Sequence, residues 1–319
     1  MAQYQDIIIN GKVKRGQRDC ESRWEVIRKE LKLRYDRPIS VLDIGANFGY
    51  FSFRIQEEFP TSVSICIESK HCKKLIEICE KNNAEHTIVL DKLVTTEDLQ
   101  TLANCEHFDV VLGLNVLHHI GDVRDSFDAI ERLGNTTIIE TPHPLDKGAC
   151  GQKHLQYLFD KVTSEYNIIG EFSRHTSEVH SPLGIKDRLK TNTEKRYWDS
   201  KPYKNNIIID SSKKEKKFRH QDKNESRDWI HGVNLRTYQY LNGQYPSRQQ
   251  ITEYIKQQNF DNHEDLNPWN LIITGKKIVP IDTVDKRHTK PTSNSLQKEK
   301  ICNDLLGDSV KPIKYYKKL

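Results

Sequence analysis

No apolar run in these 319 residues approaches the ~18 that a membrane-spanning helix requires. Nor does the stretch from Met1 to Lys14 hold the short apolar core of a secretory signal. Both absences lead to the expectation of a soluble, cytoplasmic protein. The 7 cysteines, Cys20, Cys66, Cys72, Cys79, Cys105, Cys150 and Cys302, form no C-x-x-C pair, and their number is odd. A disulfide framework and a cysteine zinc site are therefore not expected, and no metal is assigned. No internal repeat is present. Apolar residues make up only 35% of the chain against 30% charged, so the core must be concentrated somewhere. The densest apolar stretch runs from Ile39 to Tyr166. A net charge of +5 suits an anionic ligand or a nucleic acid without selecting either.

What is there alternates. Ile7 to Ile9 reads as a short strand before the Asn10-Gly11 turn. Asp19 opens a helical pattern through Trp24, Ile27, Leu31 and Leu33. Strands are expected at Ile39–Ile44, Ser62–Ile67, Thr87–Leu90, Phe108–Leu114 and Thr136–Glu140. Helices are expected between them, at Phe48–Glu58, Lys70–Asn82, Thr96–Leu102 and Ser126–Leu133. Strands separated by helices imply an α/β fold with a mainly parallel sheet covered by helices on both faces. A helix to Val162 and a strand from Asn167 to Phe172 follow. The polar segment Ser173–Lys195 reads as a loop over the active site, with further strands at 196–198 and 206–209. The charge-rich run from Lys213 to Asn224 reads as a linker. A small, mostly helical module then runs from Trp229 to a basic tail, Lys311–Leu319. The expected division is 1–218 and 219–319.

Three strand ends carry polar residues of a particular kind. Val41-Leu42-Asp43-Ile44-Gly45-Ala46-Asn47-Phe48-Gly49 is a strand entering a glycine turn and then a helix. Gly45 permits the tight turn and a close ligand approach, and Gly49 permits close packing of the helix. Asp43 stands where it can orient a ligand. Glu68 ends the next strand, about twenty residues past the turn, where a carboxylate can accept both hydroxyls of a ribose. Phe108-Asp109 leads through the third strand to Asn115-Val116-Leu117-His118-His119. The glycine spacing has no third glycine in register, unlike the G-x-G-x-x-G that cradles a dinucleotide pyrophosphate.

In order and spacing these three elements resemble the motifs of class I S-adenosylmethionine-dependent methyltransferases over roughly Ile39 to Pro142. The resemblance implies a Rossmann-like fold and S-adenosylmethionine as cofactor. It implies cofactor binding by Asp43, Gly45, Asn47, Gly49 and Glu68, with Asn115 at the methionine end and Asp91 near the adenine. The N-P-P-[YFW] run of amine-directed nucleic-acid methyltransferases is absent after Leu114. Oxygen or carbon acceptors are left. His118 and His119 suit removal of a hydroxyl proton, and His143 stands near the same strand ends. Arginines suit a phosphate. Arg15, Arg18 and Arg23 precede the sheet, and Arg174, Arg188 and Arg196 flank the polar segment. Catalytic roles are assigned to His118, His119 and Arg196.

Towards the C-terminus, His263-Glu264-Asp265-Leu266-Asn267-Pro268-Trp269-Asn270, followed by Asp282, resembles the catalytic loop and metal-binding aspartate of aminoglycoside-type phosphotransferases. No glycine-rich phosphate loop accompanies it, so a kinase-like remnant is expected rather than a working kinase. The pairing resembles the bifunctional methyltransferase-kinases that cap O-antigen polysaccharides. It implies a glycan or small-molecule acceptor methylated on a hydroxyl or phosphate oxygen. An RNA-directed methyltransferase, with nucleic acid as partner, and a bifunctional methyltransferase-kinase are the alternatives.

Overall fold

A computed structural model describes residues 3–146, 149, 152–174, 177–188, 194–197, 205–210, 215–220, 223–228, 230–258, 268, 271–280 and 294–306. A hairpin of β1 (Ile7–Ile9) and β2 (Lys12–Lys14) precedes helix α1 (Cys20–Arg34). The Asp19 carboxylate caps α1 by accepting from the Ser22 N–H. Then come β3 (Ser40–Ile44), α2 (Tyr50–Glu58), β4 (Val63–Ile67), α3 (Cys72–Lys81), β5 (Thr87–Leu90), α4 (Thr96–Cys105) and β6 (Phe108–Leu114). They are followed by α5 (Val123–Leu133), β7 (Gly134–Glu140), α6 (Gln152–Glu165), β8 (Asn167–Arg174) and β9 (Ser177–Asp187).

Strands β5, β4, β3, β6 and β7 lie side by side and parallel. The strand order reverses beside β3, as in doubly wound folds, whose ligands bind beyond the carboxyl ends of the strands at that point. Alternate side chains of each strand face opposite layers. On β3, Leu42 and Ile44 join one core with α4, α5 and α6, while Val41 joins the other with α1, α2 and α3. The expected Rossmann-like sheet with helices on both faces is borne out.

Three expectations need correction. Residues 177–187 are not a loop: β9 pairs antiparallel with β7 and with β8 and buries Leu183 and Ile185. The charged run 213–224 contributes to strands, not to a simple linker. After β10 (Glu194–Tyr197) come β11 (Asn205–Asp210), β12 (Glu215–His220) and β13 (Lys223–Asp228), and the four pair as an antiparallel sheet. Leu33, read as part of the helical apolar pattern of α1 with Trp24, Ile27 and Leu31, is 71% exposed, because two residues past Leu31 it falls on the opposite face of the helix.

The C-terminal part comprises β14 (Val233–Asn234), α7 (Leu235–Tyr240), β15 (Gly243–Tyr245), α8 (Arg248–Gln257), β16 (Leu271–Ile273), β17 (Ile278–Pro280) and α9 (Asn294–Leu306). Strand β15 pairs antiparallel with β5 and extends the central sheet. Leu235, Tyr238 and Ile255 enter the same core as α4 and α5. Glu106, buried behind α4, accepts from the Asn234 N–H, the Asn234 Nδ2 and the Thr237 hydroxyl. Among the described residues no helix is long and apolar enough to cross a membrane.

The N-terminus of α2 is capped from a distance. Its cap position is Gly49, which has no side chain to offer. The buried Gln5 fills the role instead: its Oε1 accepts from the Phe48 N–H at 3.0 Å and the Tyr50 N–H at 3.4 Å. Gln5→Ala orphans these donors, so a loss of ~1–2 kcal/mol is expected, the range of a removed helix cap. Urea denaturation of the variant against the parent checks it.

Candidate functional site

The polar residues singled out by the sequence converge at the carboxyl ends of β3, β4, β5 and β6. Gly45 leaves β3 with φ +70°, and its N–H donates to the Ile67 carbonyl of the neighbouring strand. A Cβ at Gly45 would stand 2.6 Å from Val116 Cγ2. The loops after β3 and β6 thus touch where the strand order reverses, and only glycine fits there. Gly49, φ +76°, is equally constrained, a Cβ meeting Leu75 Cδ1 at 2.8 Å.

Asn47 is left-handed at φ 55°. Its N–H donates to Glu68 Oε2 at 2.9 Å, and the His71 N–H donates to Oε1 at 2.9 Å. Each carboxylate oxygen has a second lone pair, so Glu68 is fixed in place with acceptor capacity left. Asn115 is left-handed too, φ 61°. Its N–H donates to the Glu140 carbonyl and its Nδ2 to Glu140 Oε1 at 2.7 Å. The Oδ1 atoms of Asn47 and Asn115 are buried without a hydrogen-bond partner. Buried amide oxygens are rarely left so, and a ligand carrying hydroxyl or ammonium donors would satisfy them. A cofactor with a ribose and an amino-acid end therefore fits the residues present. Asp91, past β5, donates its N–H to the Asn242 carbonyl, which brings a C-terminal residue to this edge of the site.

Asp43 faces the α1–α3 side, where Ser52 of α2 donates to its Oδ2 at 2.8 Å. It is 3% exposed. Burial pushes its carboxyl up to about 6; the Ser52 hydrogen bond opposes the shift and the Glu68 charge adds to it. Keeping this group ionised at neutral pH is therefore costly, a common mark of a functional position.

His118 and His119 lie on a single turn, Leu117–His119, after β6, with ring centroids 4.0 Å apart. His118 is buried and His119 exposed, so only His119 faces solvent. The His143 ring packs on Phe159, and its Nδ1 accepts from the Leu145 N–H. Arg15 pairs with Asp6. Arg18 and Arg23 are buried on Glu140 and form no open basic surface. Arg188 lies at the far end of the sheet, beside the start of β7, and donates to the Arg132 carbonyl. It does not flank this site. Arg196 falls on β10, where its side chain lies outside the described residues, as does that of Arg174. Asp265, Asn270, Asp282 and the basic tail also lie outside them.

Gln5, Glu140 and Asn242 were not singled out by sequence, and Arg18 was singled out only as one of three arginines ahead of the sheet. Glu140 alone carries a signal: an acid closing the apolar run Ile138-Ile139 at a strand's carboxyl end. Among the described residues no group of three histidines, cysteines or acids is arranged to hold a metal.

No family model matches the chain. In sequence it is 26% identical over 206 residues to an O-antigen chain terminator bifunctional methyltransferase/kinase, WbdD, of Escherichia coli, an alignment covering 58% of this chain and 28% of that protein. A second such protein matches at 25% over 206 residues. The chain thus spans little more than a quarter of the curated relatives it matches. Among solved structures it resembles WbdD, with TM-score 0.44 and 18% identity, covering 91% of this chain and 81% of that one. It also resembles magnesium protoporphyrin IX methyltransferase from Synechocystis PCC 6803 with bound S-adenosylmethionine, with TM-score 0.40 and 13% identity, covering 55% and 87% of the two chains. The expected similarity to methyltransferase-kinases is borne out in sequence, and the fold is Rossmann-like.

Asp43 supplies a test that needs no ligand. Its folded pKa lies above its unfolded value of 3.8. Stability is therefore greatest where the acid is protonated in both states, and it falls as pH rises from about 4 to about 6. Asp43→Asn keeps an acceptor for Ser52 and removes the penalty. The variant should be more stable than the parent at pH 7 by on the order of 2–3 kcal/mol. The gain should vanish near pH 4. Urea unfolding at the two pH values measures it.

Proposed function

We propose that the protein is an S-adenosylmethionine-dependent methyltransferase that methylates an oxygen, hydroxyl or phosphate, of a glycan or small molecule. In this reading residues 1–218 carry the activity and 219–319 form a kinase-like remnant. The observation that carries it is the meeting of Gly45, Asn47, Glu68 and Asn115 at the switch point, with two amide oxygens awaiting donors. The sequence similarity to a methyltransferase/kinase supports the same chemistry.

When bound, S-adenosylmethionine would supply a methyl group activated on a sulfonium sulfur. The residues of the chain would do the rest by positioning. Glu68 would accept the ribose hydroxyls with its remaining lone pairs. The close-packed turn at Gly45 would let the backbone approach the adenosyl group. Asn47, Asn115 and Asp43 would orient the amino-acid end. His119, exposed on the turn after β6, would take the proton from an acceptor hydroxyl, and the buried His118 would support it. Arg196 would serve an acidic acceptor. The acceptor class follows from the absent amine-directed motif and from the relative's part in ending an O-antigen chain. Phosphoryl transfer is not included, because the sequence has no glycine-rich phosphate loop.

Two outcomes are expected. Calorimetry should show binding of S-adenosylhomocysteine, weakened ~30–100-fold by Glu68→Ala, the cost of removing a charged hydrogen-bond acceptor. Undiminished binding in a folded variant would remove Glu68 from the site. With labelled S-adenosylmethionine and a panel of glycans, small metabolites and RNA, mass spectrometry should locate the methyl on an oxygen of a glycan or metabolite. Label on an RNA base nitrogen would establish the nucleic-acid alternative instead.

A further inference from the structure

Beyond β7 the chain reads Thr141-Pro142-His143-Pro144. A residue before proline is held out of the helical region, so Thr141 and His143 are both kept extended. The Thr141 N–H donates to the Pro182 carbonyl at 3.3 Å, which carries the pairing with β9 one residue past Glu140. Alternate residues of an extended segment share a face. Ile139, Thr141 and His143 therefore look toward the side of α4, α5 and α6. Ile139 enters that core, and the His143 ring meets the Phe159 ring of α6 edge-on at 4.8 Å. The turn Leu117–His119 closes the same corner, with Leu117 in the same core. Glu140, one residue before Thr141, faces the opposite side with Arg18 and Arg23.

Two polar groups in this corner lack partners. Thr141 is 1% exposed, and its Oγ1 is buried without a hydrogen bond, a state seldom kept in a protein interior. His143 supplies the second group. Its Nδ1 accepts from the Leu145 N–H at 3.1 Å, so the ring is neutral and its proton sits on Nε2. No described residue accepts from that N–H. A single ligand hydroxyl would satisfy both groups, accepting from His143 Nε2 and donating to Thr141 Oγ1. Leu145, 71% exposed, and Phe159 add apolar surface around them, the usual setting of a few convergent polar groups in a ligand pocket. Asp146, an acid, is buried in the same turn, its N–H on the His143 carbonyl. On the same side of the sheet Arg124 lies over the Tyr157 ring of α6. A phosphate dianion would be brought beside an acid and two neutral groups, whereas a sugar hydroxyl meets no like charge.

We infer that Thr141 and His143 hold a hydroxyl neighbouring the methylated one, so that the acceptor is an uncharged vicinal diol of a sugar rather than a phosphate. This rests on the methyltransferase reading above, in which His119, on the turn that closes the corner, takes the proton of the methylated hydroxyl. Thr141 and His143 select the acceptor and do not take its proton, since Nε2 already carries one.

The test uses the full chain, S-adenosylmethionine and methyl glycosides of common hexoses, each beside its monodeoxy and monophosphate forms, with the product located by mass spectrometry. A neutral glycoside should be methylated on one hydroxyl. Its analogue lacking the neighbouring hydroxyl should lose ~10–100-fold in kcat/KM, the cost of leaving a buried group unpaired. Thr141→Val, of nearly the same shape, should shrink that difference to a few-fold by slowing only the full glycoside. His143→Asn, which keeps an acceptor for the Leu145 N–H, should do the same. Both variants should bind S-adenosylhomocysteine within about twofold of the parent. Thr141→Val should also melt no earlier than the parent, because the hydroxyl it removes has no partner in the protein. Equal losses on both glycosides, a lowered melting temperature for Thr141→Val, or transfer to a phosphate oxygen alone overturns the assignment. Binding of S-adenosylhomocysteine without transfer to any glycoside overturns it as well and leaves the cofactor site standing. A parent that does not bind S-adenosylhomocysteine overturns the methyltransferase reading itself.

Discussion

The buried carboxylate of Glu140 is the point through which the parts of this site are held together. It ends β7, receives Arg23 from α1 and Arg18 from the segment before it, and fixes the Asn115 amide after β6. Burial alone would raise its pKa, but the two arginines hold it below the usual range. Such clusters contribute little net stability, since desolvation offsets much of the Coulombic attraction. What they supply is placement: no apolar substitute could set the rotation of an amide or pin an N-terminal segment across the carboxyl ends of a sheet.

The arrangement is costly at this edge of the sheet. Asn47 and Asn115 both adopt left-handed backbone, and their Oδ1 atoms go without partners. Asp43 is buried where its charge is disfavoured. Elsewhere in the sheet Val, Ile and Leu fill both layers without such compromise. Strained, unsatisfied polar residues at the carboxyl edge of a conventional core are the pattern expected where a protein keeps residues for binding rather than for stability.

Much of this was legible in the sequence because the parallel strands are buried on both faces and read as continuous apolar runs. The turns at Gly45 and Gly49, and the acids at strand ends, follow from the same pattern. What escaped depends on distant partners. Residues 177–187 look polar, yet β9 sits between β7 and β8, and pairing on both sides outweighs composition. Nothing local marks Arg18 as buried: its role depends on Glu140, 122 residues away. Arg188 looked like a neighbour of the site, but the antiparallel course of β9 carries it to the opposite end of the sheet. Gln5 could not be foreseen as a helix cap, because the signal for a cap is a side chain at the cap position, and that position is Gly49.

The C-terminal part, from β14 onward, bears on the site through the short strand β15. β15 pairs with β5, and a Cβ at Gly243 would strike the Tyr238 ring at 2.1 Å, so strand and α7 are packed without slack. Just before it, left-handed Asn242 takes the Asp91 N–H on its carbonyl, while its Oδ1 accepts from Gln244 and Arg248. The loop after β5, which resemblance assigns to the adenine end of the cofactor, is thus set by residues from the far half of the chain. Since interiors are close-packed and transmit strain, a change in the packing of α7 or α8 must reach Asp91 through Asn242. The C-terminal part therefore does structural work for the site whether or not it binds a ligand of its own.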